Sequence, residues 1–209
     1  MFNPRLLIPL LLLMIFAGGC KKSSSPEEIR RSKLFPMLNN ETELIRYGKK
    51  LYGNEIMRAI SGDFNGDEVQ EMAFGREIFT ADTWGITFYF CQITGDTVEQ
   101  YYQTPVLEGS LTKCKLGRLR DVSADKDLLY YDSEGFYMGS GGGEIFAHLI
   151  DSDAEKIYTG HFFVIPGESL PSLYLSPNAA GKFAGKYLEG RFRRSFPGLR
   201  IVSEDYKFN

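Results

Sequence analysis

The chain has 209 residues, of which 43% are hydrophobic and 24% charged, and its formal net charge at pH 7 is −3. A chain of this length and composition is typical of one globular domain with a hydrophobic core of its own. A charge so close to zero gives no reason to expect a nucleic-acid partner.

The first 19 residues predict a secretory signal peptide. Arg5 gives a positive start, residues 6–16 form an apolar run of eleven residues, and small residues 17–19 precede Cys20. Such a run is too short to span a bilayer. Small residues before a cysteine resemble the lipobox of bacterial lipoproteins, in which the peptide is removed and the cysteine carries lipid. An ordinary secretory signal that ends near a cysteine is the alternative.

The lipobox resemblance implies lipidation of Cys20, a polar tether over residues 20–28 and one domain over residues 29–209. The membrane is then a partner through the N-terminal lipid. Lys21, rather than Asp, follows the cysteine, which by resemblance to the enteric sorting pattern favours the outer membrane of the bacterial envelope, on its periplasmic or surface face.

The two remaining cysteines, Cys91 and Cys114, form an even pair that permits a disulfide in an exported protein. The strands predicted below place them two strands apart. A bridge therefore requires the sheet to fold over.

A short helix is predicted between the tether and the strands. Asn40 is a suitable N-cap, apolar residues follow at helical spacing from Leu44 to Leu51, and Gly53 is a suitable end.

Residues 62–71, with the sequence Gly-Asp-Phe-Asn-Gly-Asp-Glu-Val-Gln-Glu, predict a calcium-binding loop. With Asp63 counted as position 1, its oxygen-bearing side chains stand at positions 1, 3, 5 and 9. Ca²⁺ takes six to eight oxygen ligands. The predicted ligands are Asp63, Asn65, Asp67, the backbone carbonyl of Val69, and Glu71. The alternative is a turn held by hydrogen bonds from Asn and Asp side chains to the backbone.

A shift of 58 residues aligns the chain with itself and predicts a repeat. The loop residues Asp63, Asn65 and Asp67 then fall on Asp121, Ser123 and Asp125. The first copy covers about residues 59–116, the second about 117–176, and a C-terminal flank covers 177–209. Strands are predicted at 72–75, 86–93 and 97–103, and again at 128–131, 144–150 and 156–165.

The predicted fold is therefore mainly all-β. It consists of two blade-like, four-stranded antiparallel meanders with a short helical N-terminal flank, and residues 186–196 alternate loosely as a further strand. The large number of aromatic residues, 16 Phe and 12 Tyr, suits stacked sheets.

Residues 62–75 resemble the FG-GAP and VCBS family of repeats, whose signature is a Gly-Asp-Phe-Asn-Gly-Asp-Gly loop that leads into a short apolar strand and a glycine. The resemblance implies that each copy is one propeller blade with calcium in the loop between its first two strands, held by the ligands named above. Glu68 stands where the family has Gly, and Glu71 stands where it has Asp.

The second loop departs further from that signature. Its candidate ligands are Asp121, Ser123, Asp125 and Asp127, because Leu129 occupies the ninth position. Lys126 beside them would replace the charge of an ion, so this site is predicted to be the weaker one. Two copies are too few to close a propeller. The N-terminal segment 29–58, the C-terminal segment 178–209 or another subunit must then cover the open edges.

No catalytic residue is predicted. His148 and His161 lie within strand patterns and are expected to be packed, and the glycine-rich run 139–143 is expected to be a hairpin connection. The sequence favours a non-catalytic binding or structural module of the envelope, with a protein or glycan as its possible partner. The alternatives are an exported hydrolase acting on glycans, for which exposed aromatics such as Trp84 would stack on sugars, and an accessory subunit of an envelope complex.

Overall fold

The structure is a computed structural model that describes residues 25–81, 83–136, 142–165, 167 and 170–202. Cys20, the predicted signal peptide, most of the predicted tether and part of the glycine-rich run lie outside these residues. Within the described ranges, no helix combines the length and the apolar character needed to cross a bilayer.

Short helices lie near both ends of the described chain, and most of the strands lie between them. The helices are α1 (Pro26–Arg31), a 3₁₀ turn (Phe35–Asn39), α2 (Glu41–Tyr52) and α3 (Phe183–Arg193). The first group of strands is β1 (Ile56–Gly62), β2 (Glu71–Phe79), β3 (Trp84–Thr94) and β4 (Thr97–Gln103). The second group is β5 (Cys114–Asp121), β6 (Lys126–Phe136), β7 (Gly143–Asp151), β8 (Lys156–Val164), β9 (Ser172–Leu175) and β10 (Arg200–Val202).

The mainly-β prediction is confirmed. The first sheet is a four-stranded antiparallel meander in the order β1-β2-β3-β4. The second contains the predicted meander β5 to β8, but β9 extends it antiparallel and β10 adds a parallel edge, so the order is β10-β9-β8-β7-β6-β5. The second sheet is therefore larger than the sequence predicted.

The two sheets stack face to face, and helices cover their outer faces. A core between the sheets contains Phe88 and Phe90 from β3 with Leu129 and Tyr131 from β6. Residues of opposite parity, such as Tyr89, point to the other face of the first sheet and pack against α1 and α2. Because β3 is covered on both faces, its apolar run has no polar side.

A third core lies between α3 and the second sheet. The N-terminal segment thus covers a face of the first sheet, where an edge was predicted. The C-terminal segment covers a face of the second sheet through α3 and, as predicted, an edge through β10, which pairs with β9.

Helix α2 agrees with its prediction at both ends. The Asn40 side chain accepts a hydrogen bond from the Glu43 backbone N–H at 3.2 Å, and Gly53 follows the last turn with φ 99°. Both features are local, so the sequence alone specifies them.

The strand predicted at residues 186–196 is wrong, because helix α3 spans most of this segment. Ala184, Leu188 and Phe192 recur every four residues and are all buried against the second sheet. The helical period, rather than the looser alternation, decides the structure here.

Paired residues of the first sheet have counterparts 58 positions later in the second. Phe74 pairs with Tyr89 in the first sheet, and 58 positions later Asp132 pairs with Ala147 in the second. Likewise Ile93 pairs with Val98, and 58 positions later Asp151 pairs with Lys156. The correspondence ends at the first hairpin of each group. Eight residues, 63–70, connect β1 to β2, whereas four residues, 122–125, connect β5 to β6.

Cys91 and Cys114 are both free thiols. Cys91 is buried on the helix-covered face of the first sheet, where its sulfur lies 3.1 Å from the Tyr52 hydroxyl and burial raises its pKa to about 11. Cys114 belongs to the second sheet and contributes to the core between the sheets. The permitted disulfide is not formed, because the two side chains face different cores.

Candidate metal loop

Asn and Asp side chains hold the first loop by bonding to its own backbone. The Asp63 carboxylate accepts a hydrogen bond from the Gly66 N–H at 2.9 Å, and the Asn65 amide oxygen accepts one from the Asp67 N–H at 3.0 Å. The Asp67 carboxylate in turn accepts one from the Val69 N–H at 2.9 Å. This succession of side-chain turns explains why the alternating Asp and Asn residues fold locally into a compact loop.

Glu71 lies beneath the loop as the first residue of β2 and is only 1% exposed. Its carboxylate accepts hydrogen bonds from the N–H groups of Phe64 at 2.8 Å and Asn65 at 3.3 Å. Burial, with the neighbouring charges of Asp67 and Asp63, nonetheless raises the pKa of Glu71 to about 8. The ionised form is therefore poorly compensated by the protein.

Hydrophobic anchors fix the loop to both faces of the first sheet. Phe64 is fully buried between the sheets, where its ring lies edge-on to that of Phe90 with centroids 5.4 Å apart. Val69 is buried on the opposite, helix-covered face. The loop therefore has little freedom at either end.

The predicted ligand residues share one loop but do not form a ready-made ion cage. Asn65 donates a hydrogen bond to Asp67 at 3.2 Å, and Asp63 and Glu71 bond to loop amides as described. Within the described part of the chain, no group of three or more His, Cys, Asp or Glu residues is gathered so as to hold a metal. The donor chemistry nevertheless fits a hard cation, because every candidate atom is an oxygen and Glu71 is a buried acid in need of positive charge.

Glu68 occupies the position where the resembling family has glycine, and it adopts a left-handed backbone conformation with φ 64°. Glycine adopts this conformation without the clash that a Cβ atom causes. The sequence departure at Glu68 thus coincides with strain at the sharp turn of the loop.

The second loop is a tight hairpin with a different internal arrangement. One carboxylate oxygen of Asp121 accepts hydrogen bonds from the Ser123 N–H at 2.9 Å and the Ser123 hydroxyl at 2.6 Å, which lower the pKa of Asp121. Two of its predicted ligands therefore bond to each other. Leu129, at the ninth position, is fully buried between the sheets.

Arg120 joins the two loops, which the sequence analysis did not anticipate. Its guanidinium lies 3.0 Å from Asp63, 2.5 Å from Asp125 and 3.7 Å from Asp127. The backbones meet as well, because the Asp127 N–H donates to the Asp63 carbonyl at 2.6 Å and the Asp63 N–H donates to the Asp127 carboxylate at 3.1 Å. The 58-residue shift aligns Arg120 with Gly62. The sequence signal for this contact was therefore a charged residue beside the second loop at a position where the first copy has glycine.

Lys126 pairs with residues of a different turn. Its ammonium nitrogen lies 2.7 Å from Asp151 and 2.9 Å from Asp153, between β7 and β8. Arg120, rather than Lys126, makes the ion pairs to the acids of the second loop.

The two histidines lie in β7 and β8. His148 is buried, with Nδ1 3.1 Å from the Thr159 hydroxyl, and burial lowers its pKa to about 4. The Nε2 of His161 lies 2.9 Å from the Glu144 carboxylate, and its ring stacks on Phe146.

Comparisons with known proteins return no match. No family model, curated protein or solved structure matches this chain. The resemblance of residues 62–75 to FG-GAP and VCBS loops therefore stays a prediction, and a function has to be argued from the contacts described above.

Proposed function

We propose that this chain is a non-catalytic binding or structural module of the bacterial cell envelope, anchored by lipid on Cys20 and stabilised by one Ca²⁺ ion in the loop 63–71. The observation that carries the calcium proposal is the buried Glu71. It is an acid placed under a loop of oxygen-bearing side chains, with its pKa raised to about 8.

The electrostatics of this site favour an added cation. A positive ion beside Glu71 stabilises its ionised form and lowers its pKa, so calcium binding and proton release are coupled. A ligand that binds only the folded state stabilises it by about 2.7 kcal/mol at a hundredfold excess over Kd. Calcium would act here by ordering the loop.

The residues that would hold the ion are those predicted from the sequence. They are Asp63, Asn65, Asp67 and Glu71 through side-chain oxygens, and Val69 through its carbonyl. Asp63 also bonds to Asp127 and Arg120 of the neighbouring loop. An ion that fixes Asp63 therefore also fixes the contact between the two sheets, which is a structural role.

The arrangement of the sheets supports the proposed relation to FG-GAP and VCBS repeats. The pairs 58 residues apart give both meanders the same strand register beyond their first hairpins, except where a bulge at Phe90 and Cys91 shifts part of the β3–β4 pairing by one residue. The loop lies between the first two strands of its meander, where the resemblance implies it, and helices cover the faces that further blades would cover in a propeller.

Thermal unfolding in calcium and in EDTA tests the ion. We expect EDTA to lower the Tm of the full-length protein in detergent and Asp63→Ala to abolish this response. Asp121→Ala is the matched control from the second loop and should retain it. An identical Tm in calcium and in EDTA at pH 8 would overturn the calcium proposal.

Fractionation tests the anchor separately. Cys20→Ser should release the protein from membranes and abolish labelling by a fatty-acid analogue, whereas Cys114→Ser should change neither. Membrane association that persists in Cys20→Ser would contradict lipid anchoring at this residue.

A further inference from the structure

A cleft opens at the end of the sandwich where β3 begins. Its volume is about 320 Å³, which is in the range of small-molecule sites. Two aromatic and three acidic side chains dominate its lining, namely Trp84, Phe146, Glu108, Glu134 and Glu144. The calcium loop lies at the opposite end of β2, about 26 Å away along the strand.

One wall of the cleft is fixed to both sheets. The Ser110 N–H donates to the Ser133 hydroxyl at 2.8 Å and the Ser110 carbonyl accepts from the Tyr131 hydroxyl at 3.0 Å, both on the second sheet. The Ser110 hydroxyl donates to Glu77 of the first sheet at 2.8 Å. Gly109 has φ 124°, and a Cβ atom there would lie 2.5 Å from the Tyr131 hydroxyl. The wall is therefore preformed.

Trp84 stands at the rim and is 63% exposed. The residues after it fix its position, because Ile86 and Leu107 exchange backbone hydrogen bonds of 2.9 and 2.7 Å. A Cβ atom on Gly85 would come within 2.3 Å of the Leu107 carbonyl oxygen, so only glycine permits this approach. By contrast, Tyr130 and Tyr131 of β6 are buried. A large aromatic ring left open beside a cleft is a feature of binding sites.

On the opposite side of the cleft, one histidine contacts both a carboxylate and an aromatic ring. His161 holds the Glu144 carboxylate at 2.9 Å and stacks on Phe146 with ring centroids 4.2 Å apart. Glu134 is 40% exposed and lies 3.4 Å from the Lys115 ammonium. The acidic groups are therefore held around the aromatic rings at positions that a ligand can reach.

The charge of the lining selects the class of ligand. Three glutamates line the cleft, and among the described residues no lysine or arginine does. A cation gains both from carboxylates and from the face of a tryptophan ring, the best of the aromatic partners. Anionic ligands are repelled, and a neutral sugar makes no use of the charge.

We propose that this cleft binds a small organic cation through an alkylammonium group, as in a polyamine. The ammonium lies between the Trp84 ring and the carboxylates of Glu134 and Glu144, and the alkyl chain packs on Phe146. This site goes beyond the calcium-dependent module and does not depend on it.

Trp84 is the single tryptophan of the chain, so its fluorescence reports directly on the cleft. Spermidine, titrated into the full-length protein in detergent and calcium at constant ionic strength, should change the emission saturably. Glu144→Gln and Glu134→Gln should each weaken binding about tenfold, the loss expected for one charge-assisted hydrogen bond. Glu99→Gln, on the exposed strand β4, is the matched control and should bind as the unchanged protein does.

Pentane-1,5-diol, glutarate and a neutral oligosaccharide test the chemistry of recognition. The proposal is overturned if spermidine gives no saturable change, if the diol or glutarate binds as well, or if the oligosaccharide binds more tightly. Isothermal titration of Trp84→Phe, with its Tm measured in parallel, should show weakened binding by a folded protein. Repeating the spermidine titration in EDTA separates the two proposals, because this site should persist if calcium binding fails.

Discussion

The two acidic loops occupy equivalent places in the two meanders, yet they handle their charges differently. The first, of eight residues, folds over the buried carboxyl group of Glu71. The second, of four residues, has the buried apolar Leu129 at the corresponding position. Only the first loop therefore places an acid where an ion would relieve an electrostatic cost.

The neighbouring basic residues extend this contrast. Arg120 contacts Asp125 and Asp127, so the acids around the second loop have a counter-charge from the protein itself. In the first loop Arg120 pairs with the Asp63 carboxylate at 3.0 Å, whereas the buried Glu71 carboxylate is held by the backbone N–H groups of Phe64 and Asn65. The acids of the second loop are thus neutralised by the protein itself, whereas the first loop keeps a buried acid that the proposed ion would neutralise.

The largest expected effect is a loss of stability with rising pH, which the first loop produces and the second does not. The pKa of Glu71 is about 8 in the folded protein and about 4.5 when unperturbed. The folded state therefore binds this proton more tightly, so the stabilisation is complete below pH 4.5 and is lost as the pH rises through 8. Each pKa unit is worth about 1.4 kcal/mol, so the free energy of unfolding in EDTA should fall by about 2 kcal/mol between pH 6.5 and pH 8.5. This window lies above the range in which the lowered pKa of His148 acts in the opposite direction.

Two controls assign this slope to Glu71. Glu71→Gln, which resembles the protonated acid, should flatten it, and calcium should flatten it in the unchanged protein. Asp121 in the second loop acts in the opposite direction, since its lowered pKa gives stability that is lost only as the pH falls below about 3.8. A slope that persists in Glu71→Gln would contradict the assignment.

Next in size is the loss of stability expected when Lys126 is removed. This residue lies beside the second loop but pairs with Asp151 and Asp153. Lys126→Ala leaves the buried Asp151 without its ammonium partner, and this should cost about 2 kcal/mol in the free energy of unfolding. The Tm difference between calcium and EDTA should not change. Lys156→Ala, at an exposed position, is the control. A lost calcium response in Lys126→Ala would connect Lys126 to the first loop.

Local signals made most of the secondary structure predictable. The bounds of β4 and the caps of α2 follow from residues that are close in sequence, such as Asn40 and Gly53. Helix α3 was missed because its apolar residues also fit a loose alternation, and only the second sheet they pack against selects the helical period. The bond between Arg120 and Asp63 joins residues 57 positions apart on different sheets, which a local pattern does not encode.

A smaller effect is expected from the strained turn at Glu68. Glu68→Gly should stabilise the protein by about 1 kcal/mol, because glycine adopts the left-handed conformation without a Cβ clash. It should also tighten calcium binding, since less strain remains to oppose the ordered loop. Glu155→Gly is the matched control, with φ 52° in the exposed turn before β8, and should stabilise to the same extent in calcium and in EDTA. Equal calcium affinities for Glu68→Gly and the unchanged protein would show that the strain at Glu68 does not affect calcium binding.

The smallest change in stability, with a clear change in calcium affinity, is expected from Arg120→Ala. Arg120 is solvent-exposed, and exposed ion pairs contribute little to stability. Its guanidinium nevertheless lies 3.0 Å from Asp63, where it repels a second cation. Calcium titration should therefore show tighter binding by Arg120→Ala, most clearly at low salt, where such charges are least screened. Arg194→Ala, at the end of α3, removes the same charge far from either loop and should leave the affinity unchanged. Weaker calcium binding by Arg120→Ala would instead show that the contact between the two loops, rather than the repulsion, governs the site.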